Sequence, residues 1–76
     1  MAAQNIPRED ERQRAARAKE WRKFRRDYLF SQGALASELN ISLRTVQQIE
    51  YGKTTPHANT LRRFRALRRS QEQAVA

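Results

Sequence analysis

Between Ser31 and Lys53 the chain reads SQGALASELNISLRTVQQIEYGK, two stretches of helix-forming residues separated only by Asn40, Ile41 and Ser42. No other feature restricts the fold as much, because two helices joined by so short a turn must cross at a steep angle and share one small interior. Ser31 is a suitable N-cap, since its hydroxyl can accept from the unpaired amides of a first helical turn, and Gln32 to Leu39 follows without a strong breaker. Leu35, Ala36 and Leu39 fall on one face of that segment while Ser37 and Glu38 point away. Asn40 tolerates the left-handed backbone that ends a helix, Ile41 can plug the angle, and Ser42 offers a second N-cap. The next helix, Leu43 to about Glu50, turns Val46 and Ile49 inward and leaves Leu43, Arg44, Gln47 and Gln48 outside. Gly52 suits the position just past its end.

A unit of this size reads DNA by placing its second helix in the major groove while the first crosses the backbone. The string F-S-Q-x-x-L-A-x-x-L-x-I-S-x-x-T-V-x-x-I-E-x-G-K-x-x-P, from Phe30 to Pro56, resembles the Cro/C1-type (XRE) helix-turn-helix family of phage and bacterial repressors. Ser31, Gln32, Leu35, Ala36, Ile41, Ser42, Thr45, Val46, Ile49, Glu50, Gly52 and Pro56 carry the match. Asn40 stands where the family usually has Gly, and Gly33 replaces a better helix former at a cost of up to ~1 kcal/mol. The resemblance implies an all-α, compact lambda-repressor-like domain of four helices or, with an added C-terminal one, five, and double-stranded DNA as its partner.

Side-chain chemistry then divides the exposed residues into readers and clamps. Arg44 leads as a base contact because a guanidinium meets O6 and N7 of guanine bidentately, and Gln48, one turn on, can take adenine N6 and N7. Leu43 suits a thymine methyl, and Gln47 can reach a base or a phosphate. Family correspondence assigns Gln32, Thr45, Tyr51, Lys53 and Thr55 to the phosphate backbone, with Lys53 supported by its charge as well. Taken singly, each is also an ordinary solvated helix residue. The resemblance further implies that Arg25 pairs with Glu50, although Arg25 could instead extend its head to solvent.

Charge supports a polyanionic partner: 16 Lys and Arg stand against 8 Asp and Glu, for a net +8 and a pI near 11.3. The motif itself is close to neutral, Arg44 and Lys53 balancing Glu38 and Glu50. The positive charge flanks it. Arg12, Arg14, Arg17, Lys19, Arg22, Lys23, Arg25 and Arg26 precede it with only Glu20 among them up to residue 26, and five arginines follow between residues 61 and 69 with no acid. This places affinity in the flanks and specificity in the centre.

Upstream, Pro7 with Glu9, Asp10 and Glu11 suits a helix start. Trp21, Phe24 and Tyr28 share a face, but Arg17 and Arg14 fall on the same stripe further back. The expectation is a packed helix over 18–28 behind a basic arm, residues 1–17, whose 8–17 portion is a frayed or exposed helical extension able to wrap DNA or engage a protein. Downstream, Leu61, Phe64 and Leu67 recur every three residues, indicating a fourth helix from about Ala58 to Arg69. The domain thus spans 18–69, and residues 70–76 form a short polar tail where relatives carry a fifth helix and often dimerise, so the fifth helix is missing or replaced by an extension of the fourth.

The remaining residues exclude several classes. With no Cys there is no disulfide framework or cysteine metal site, and His57, the only His, sits beside Pro56 where it can cap the fourth helix rather than bind a metal. No paired carboxylates in an apolar setting and no Gly-rich phosphate loop are present, so neither catalysis nor a cofactor is expected. No leader and no membrane span are evident, and a cytoplasmic, DNA-associated protein is expected. Trp21, Phe24, Tyr28, Phe30 and Phe64 read as core. The leading function is a sequence-specific regulator, most simply a small repressor occupying its operator through residues 43–50, with a homodimer possible on a palindromic site. Its competitors are an antitoxin that neutralises a protein through the arm and autoregulates, and a non-specific RNA or membrane-surface binder.

Overall fold

The computed structural model describes residues 10–74, so that Pro7, Glu9 and the rest of 1–9, together with 75–76, lie outside the described residues. Four helices make up the described chain: α1 (Glu11–Tyr28), α2 (Gln32–Leu39), α3 (Leu43–Glu50) and α4 (Ala58–Ala74). No strand occurs among the described residues.

Each short helix begins on a side-chain oxygen that replaces a missing intrahelical acceptor. Ser31 Oγ accepts from the Ala34 amide at 2.9 Å, and Ser42 Oγ from the Thr45 amide at 3.0 Å. Asn40 ends α2 with φ 57°, and Gly52 follows α3 with φ 74°. The α2–α3 angle is closed by the Ile41 amide donating to the Ala36 carbonyl at 3.0 Å, with the Ile41 side chain against the core.

Trp21, Phe24, Leu35, Ala36, Leu39, Val46, Ile49 and Phe64 form one buried cluster, edged by Tyr28, Phe30, Ile41 and Leu67. All four helices contribute to it. Trp21 stacks on Phe64 with centroids 4.9 Å apart, and Phe24 meets Phe64 edge-on at 5.1 Å. These contacts seat α4 across α1, where Arg68 also pairs with Glu20.

Both long helices differ from the boundaries expected of them. α1 is continuous back to Glu11, started by a capping box in which the Asp10 carboxylate accepts from the Gln13 amide (2.8 Å) and the Gln13 side chain accepts from the Asp10 amide (2.9 Å). Residues 11–17 are therefore helix packed in part on the domain, with Arg14 and Arg17 half-buried. α4 runs on to Ala74, taking the alternative in which the fourth helix is extended. Its inward stripe is the buried Thr60 and Phe64 with Leu67, which like Leu61 is half-buried but packs against the core cluster. A four-plus-three spacing tracks the 3.6-residue turn better than the three-plus-three spacing that suggested Leu61.

Candidate nucleic-acid interface

The inward side of α3 is Val46, Ile49 and Glu50, all buried, which fixes what the other side presents. Arg44 and Gln48 lie one turn apart on the outer face, and Arg44, Gln47, Gln48, Tyr51 and Lys53 line one shallow depression. Leu43 is 46% and Tyr51 66% exposed, apolar surface that water does not reward. Neither the Arg44 nor the Gln48 side chain has a hydrogen-bond partner among the described residues.

The expected clamps are distributed around this face. Lys53 is exposed at the exit of α3, its amide donating to the Gln48 carbonyl at 2.9 Å. Thr55 is half-buried in the following loop, whereas Pro56 is buried. Thr45 is half-buried, its hydroxyl 2.8 Å from that of Ser42. Gln32, at the first turn of α2, is drawn toward α3: its amide nitrogen donates to Glu50 Oε1 at 3.2 Å, and its oxygen accepts from Gln47 Nε2 at 3.4 Å. A position matched to phosphate contact thus also sets the orientation of Gln47.

Arg25 and Glu50 face each other as a bidentate pair, Nε 2.6 Å from Oε2 and Nη2 2.9 Å from Oε1. Glu50 is almost fully buried, so its charge depends on these donors and on Gln32. Arg25 also donates through Nη1 to the Phe30 carbonyl at 3.2 Å, joining the end of α1, the entry to α2 and the end of α3. Its pKa is raised by the hydrogen bonds to Glu50 and by the carboxylate's charge, against a lowering from burial.

Two contributors escape a reading of the sequence. Arg22 donates to the backbone carbonyl of Glu50, and Arg14 Nε donates to that of Gly52 at 3.1 Å. These carbonyls lie at the C-terminal end of α3, where acceptors lack intrahelical donors and the helix dipole is negative. A side chain at Gly52 would come within 3.8 Å of the Ala15 and Arg14 backbone, so the turn after α3 rests directly on the first half of α1. The available signal was the recurrence of Arg14, Arg22 and Arg25 along one side of α1. That pattern does not disclose that the partners are carbonyls of another helix.

The arrangement is an outward helix face of polar and exposed apolar side chains, braced from behind, with a cation at its exit. No group of acidic, His or Cys residues capable of holding a metal occurs among the described residues, and none of their helices is long and apolar enough to cross a membrane. A family model described as helix-turn-helix matches residues 22–67, more than half of the chain. Neither the comparison with curated proteins nor that with solved structures returns a match. The matched segment holds α2, α3 and their turn entire, and with it the fold of a DNA-binding transcription regulator; the chain belongs to the Cro/C1-type (XRE) helix-turn-helix family.

Proposed function

We propose that this protein is a sequence-specific regulator of transcription, acting as a repressor that occupies its operator with α3 in the major groove of double-stranded DNA. The observation that carries this reading is the outer face of α3, where the side chains of Arg44 and Gln48 have no hydrogen-bond partner among the described residues, beside the exposed Leu43 and Tyr51. Arg44, Gln48, Leu43 and Gln47 are the base contacts in this reading. Lys53, Thr55, Tyr51, Thr45 and Gln32 hold the backbone, Gln32 through whatever donor capacity Glu50 leaves it. Occupancy of an operator requires nothing beyond this surface, and a homodimer would place two such helices about 34 Å apart on a palindrome.

Selection of bound sites from random duplexes tests this reading directly. A recovered motif, with Arg44→Ala losing roughly 1 to 3 kcal/mol and relaxing one base position, is the expected outcome. Lys53→Ala should weaken all sequences alike and flatten the salt dependence by about one contact. Recovery of no motif, or identical behaviour of the two variants, would refute the division into readers and clamps. Operator-reporter expression in cells decides the sign of regulation.

A further inference from the structure

Each long helix carries both held and exposed cations: Arg12, Lys19 and Arg26 are exposed on α1, and Arg63 and Arg68 are held by Leu39 and Glu20 on α4. On α1, Arg14, Arg22 and Arg25 are committed to backbone or carboxylate acceptors of α3 and its turn. On α4, Thr60, Phe64 and Leu67 face inward, and a helical period places Arg62, Arg65 and Arg69 on the opposite side. All three are exposed. Arg62 donates to its neighbour Asn59 at 2.8 Å, while Arg65 and Arg69 have no hydrogen-bond or ion-pair partner among the described residues. The one acid on α4, Glu72, lies beside Arg68 over α1 and one turn from Arg69, so it offsets part of the ridge's charge and leaves it net positive.

This ridge is also separate from the reading face. α3 reaches the core through Val46 and Ile49, whereas α4 reaches it through Phe64, stacked on Trp21 of α1. α3 and α4 turn these inward stripes into the same cluster from separate positions, so their outer faces point away from it in different directions.

We propose that Arg62, Arg65 and Arg69 form a second, sequence-indifferent surface for duplex phosphates, allowing one molecule to hold a second DNA segment while α3 reads the first. The proposal rests on the DNA-reading function above. Three guanidinium groups along about 10 Å of helix face a polymer that carries a negative charge every ~1.7 Å of its axis. Guanidinium is also the side chain best shaped to grip phosphate oxygens. A docking site for an acidic protein would need an apolar anchor at its centre, and the residue between the arginines on this side is Ala66.

The test uses the full chain, a selected-site duplex fixed to beads and a labelled duplex of scrambled sequence in solution. The intact protein should retain the labelled duplex whatever its sequence. Joint replacement Arg62→Gln, Arg65→Gln and Arg69→Gln should reduce that capture at least about tenfold, with its salt slope falling by roughly 2 to 3. Affinity for the selected duplex alone, and its salt slope, should stay unchanged, and circular dichroism should show the helices intact. Capture that survives the triple replacement would overturn the proposal, because a dimer with two reading faces would then be the bridge. A parallel loss of affinity for the selected duplex would also overturn it, placing the ridge on the first duplex. Site binding without any capture would also overturn it, since the ridge would then hold no second duplex. Absence of site binding would instead defeat the DNA-reading function itself.

Discussion

At the scale of single residues, two backbone positions hold stability in reserve. Leu29 adopts φ 62° at the end of α1 and is 91% exposed, so its side chain pays for a left-handed conformation without gaining burial. Leu29→Gly should therefore stabilise the fold by about 0.5 to 1 kcal/mol despite the greater freedom of Gly in the unfolded chain. At Gly33 an added Cβ meets nothing closer than Ser31 Oγ at 4.0 Å. Gly33→Ala should add about 1 kcal/mol, raising the melting temperature by roughly 4 to 8 °C in calorimetry. A drop in either variant would show that α2 or its entry is held by something other than local preference. Residue type alone revealed the Gly33 cost and the fitness of Asn40 for its φ of 57°. It did not reveal Leu29, because nothing about Leu signals a left-handed cap.

Between elements, α1 is the support on which α3 is mounted. Arg25→Ala would strand the Glu50 carboxylate with Gln32 as its remaining side-chain donor, and should cost about 3 kcal/mol in urea unfolding. The combined exchange Arg25→Met with Glu50→Leu should cost much less than the sum of its single changes, since it removes the stranded charge. Sign and range of the pH effect follow from Arg25, whose folded-state pKa lies above its unfolded one. Its contribution is complete below the unfolded value and is lost only in strong alkali, so the Arg25 half of the pair should survive any ordinary buffer. Arg14→Ala should cost about 1 kcal/mol and speed hydrogen exchange at the Lys53 amide, which closes the turn that Arg14 braces. The helix-turn-helix was legible because caps, inward stripe and turn residues all lie within a few positions of one another. The start of α1 has its own local signal in the Asp10–Gln13 capping box, but no local pattern records that Arg14 reaches Gly52 or that Arg68 ties α4 to Glu20.

For the whole molecule, a single cluster of apolar side chains in a 76-residue chain leaves a narrow margin against unfolding. A partner that binds only the folded form should widen it measurably. Operator duplex at about one hundred times its dissociation constant should add about 2.7 kcal/mol, an upward shift in melting of roughly 10 to 20 °C. A scrambled duplex at the same concentration and salt should give a much smaller shift, and equal shifts would argue that the protein does not discriminate sequence.

Trp21 lies just upstream of the segment matched by the family model, fully buried and stacked on Phe64. The folded unit of this chain therefore extends upstream of the matched segment. A fragment trimmed to 22–67 would retain every proposed base reader yet forfeit its largest core side chain, the small neighbour Ala18 and the Arg14 contact with Gly52. Such a fragment should be a largely unstructured peptide by circular dichroism, and domain transplants from this protein need to start at the Asp10 cap.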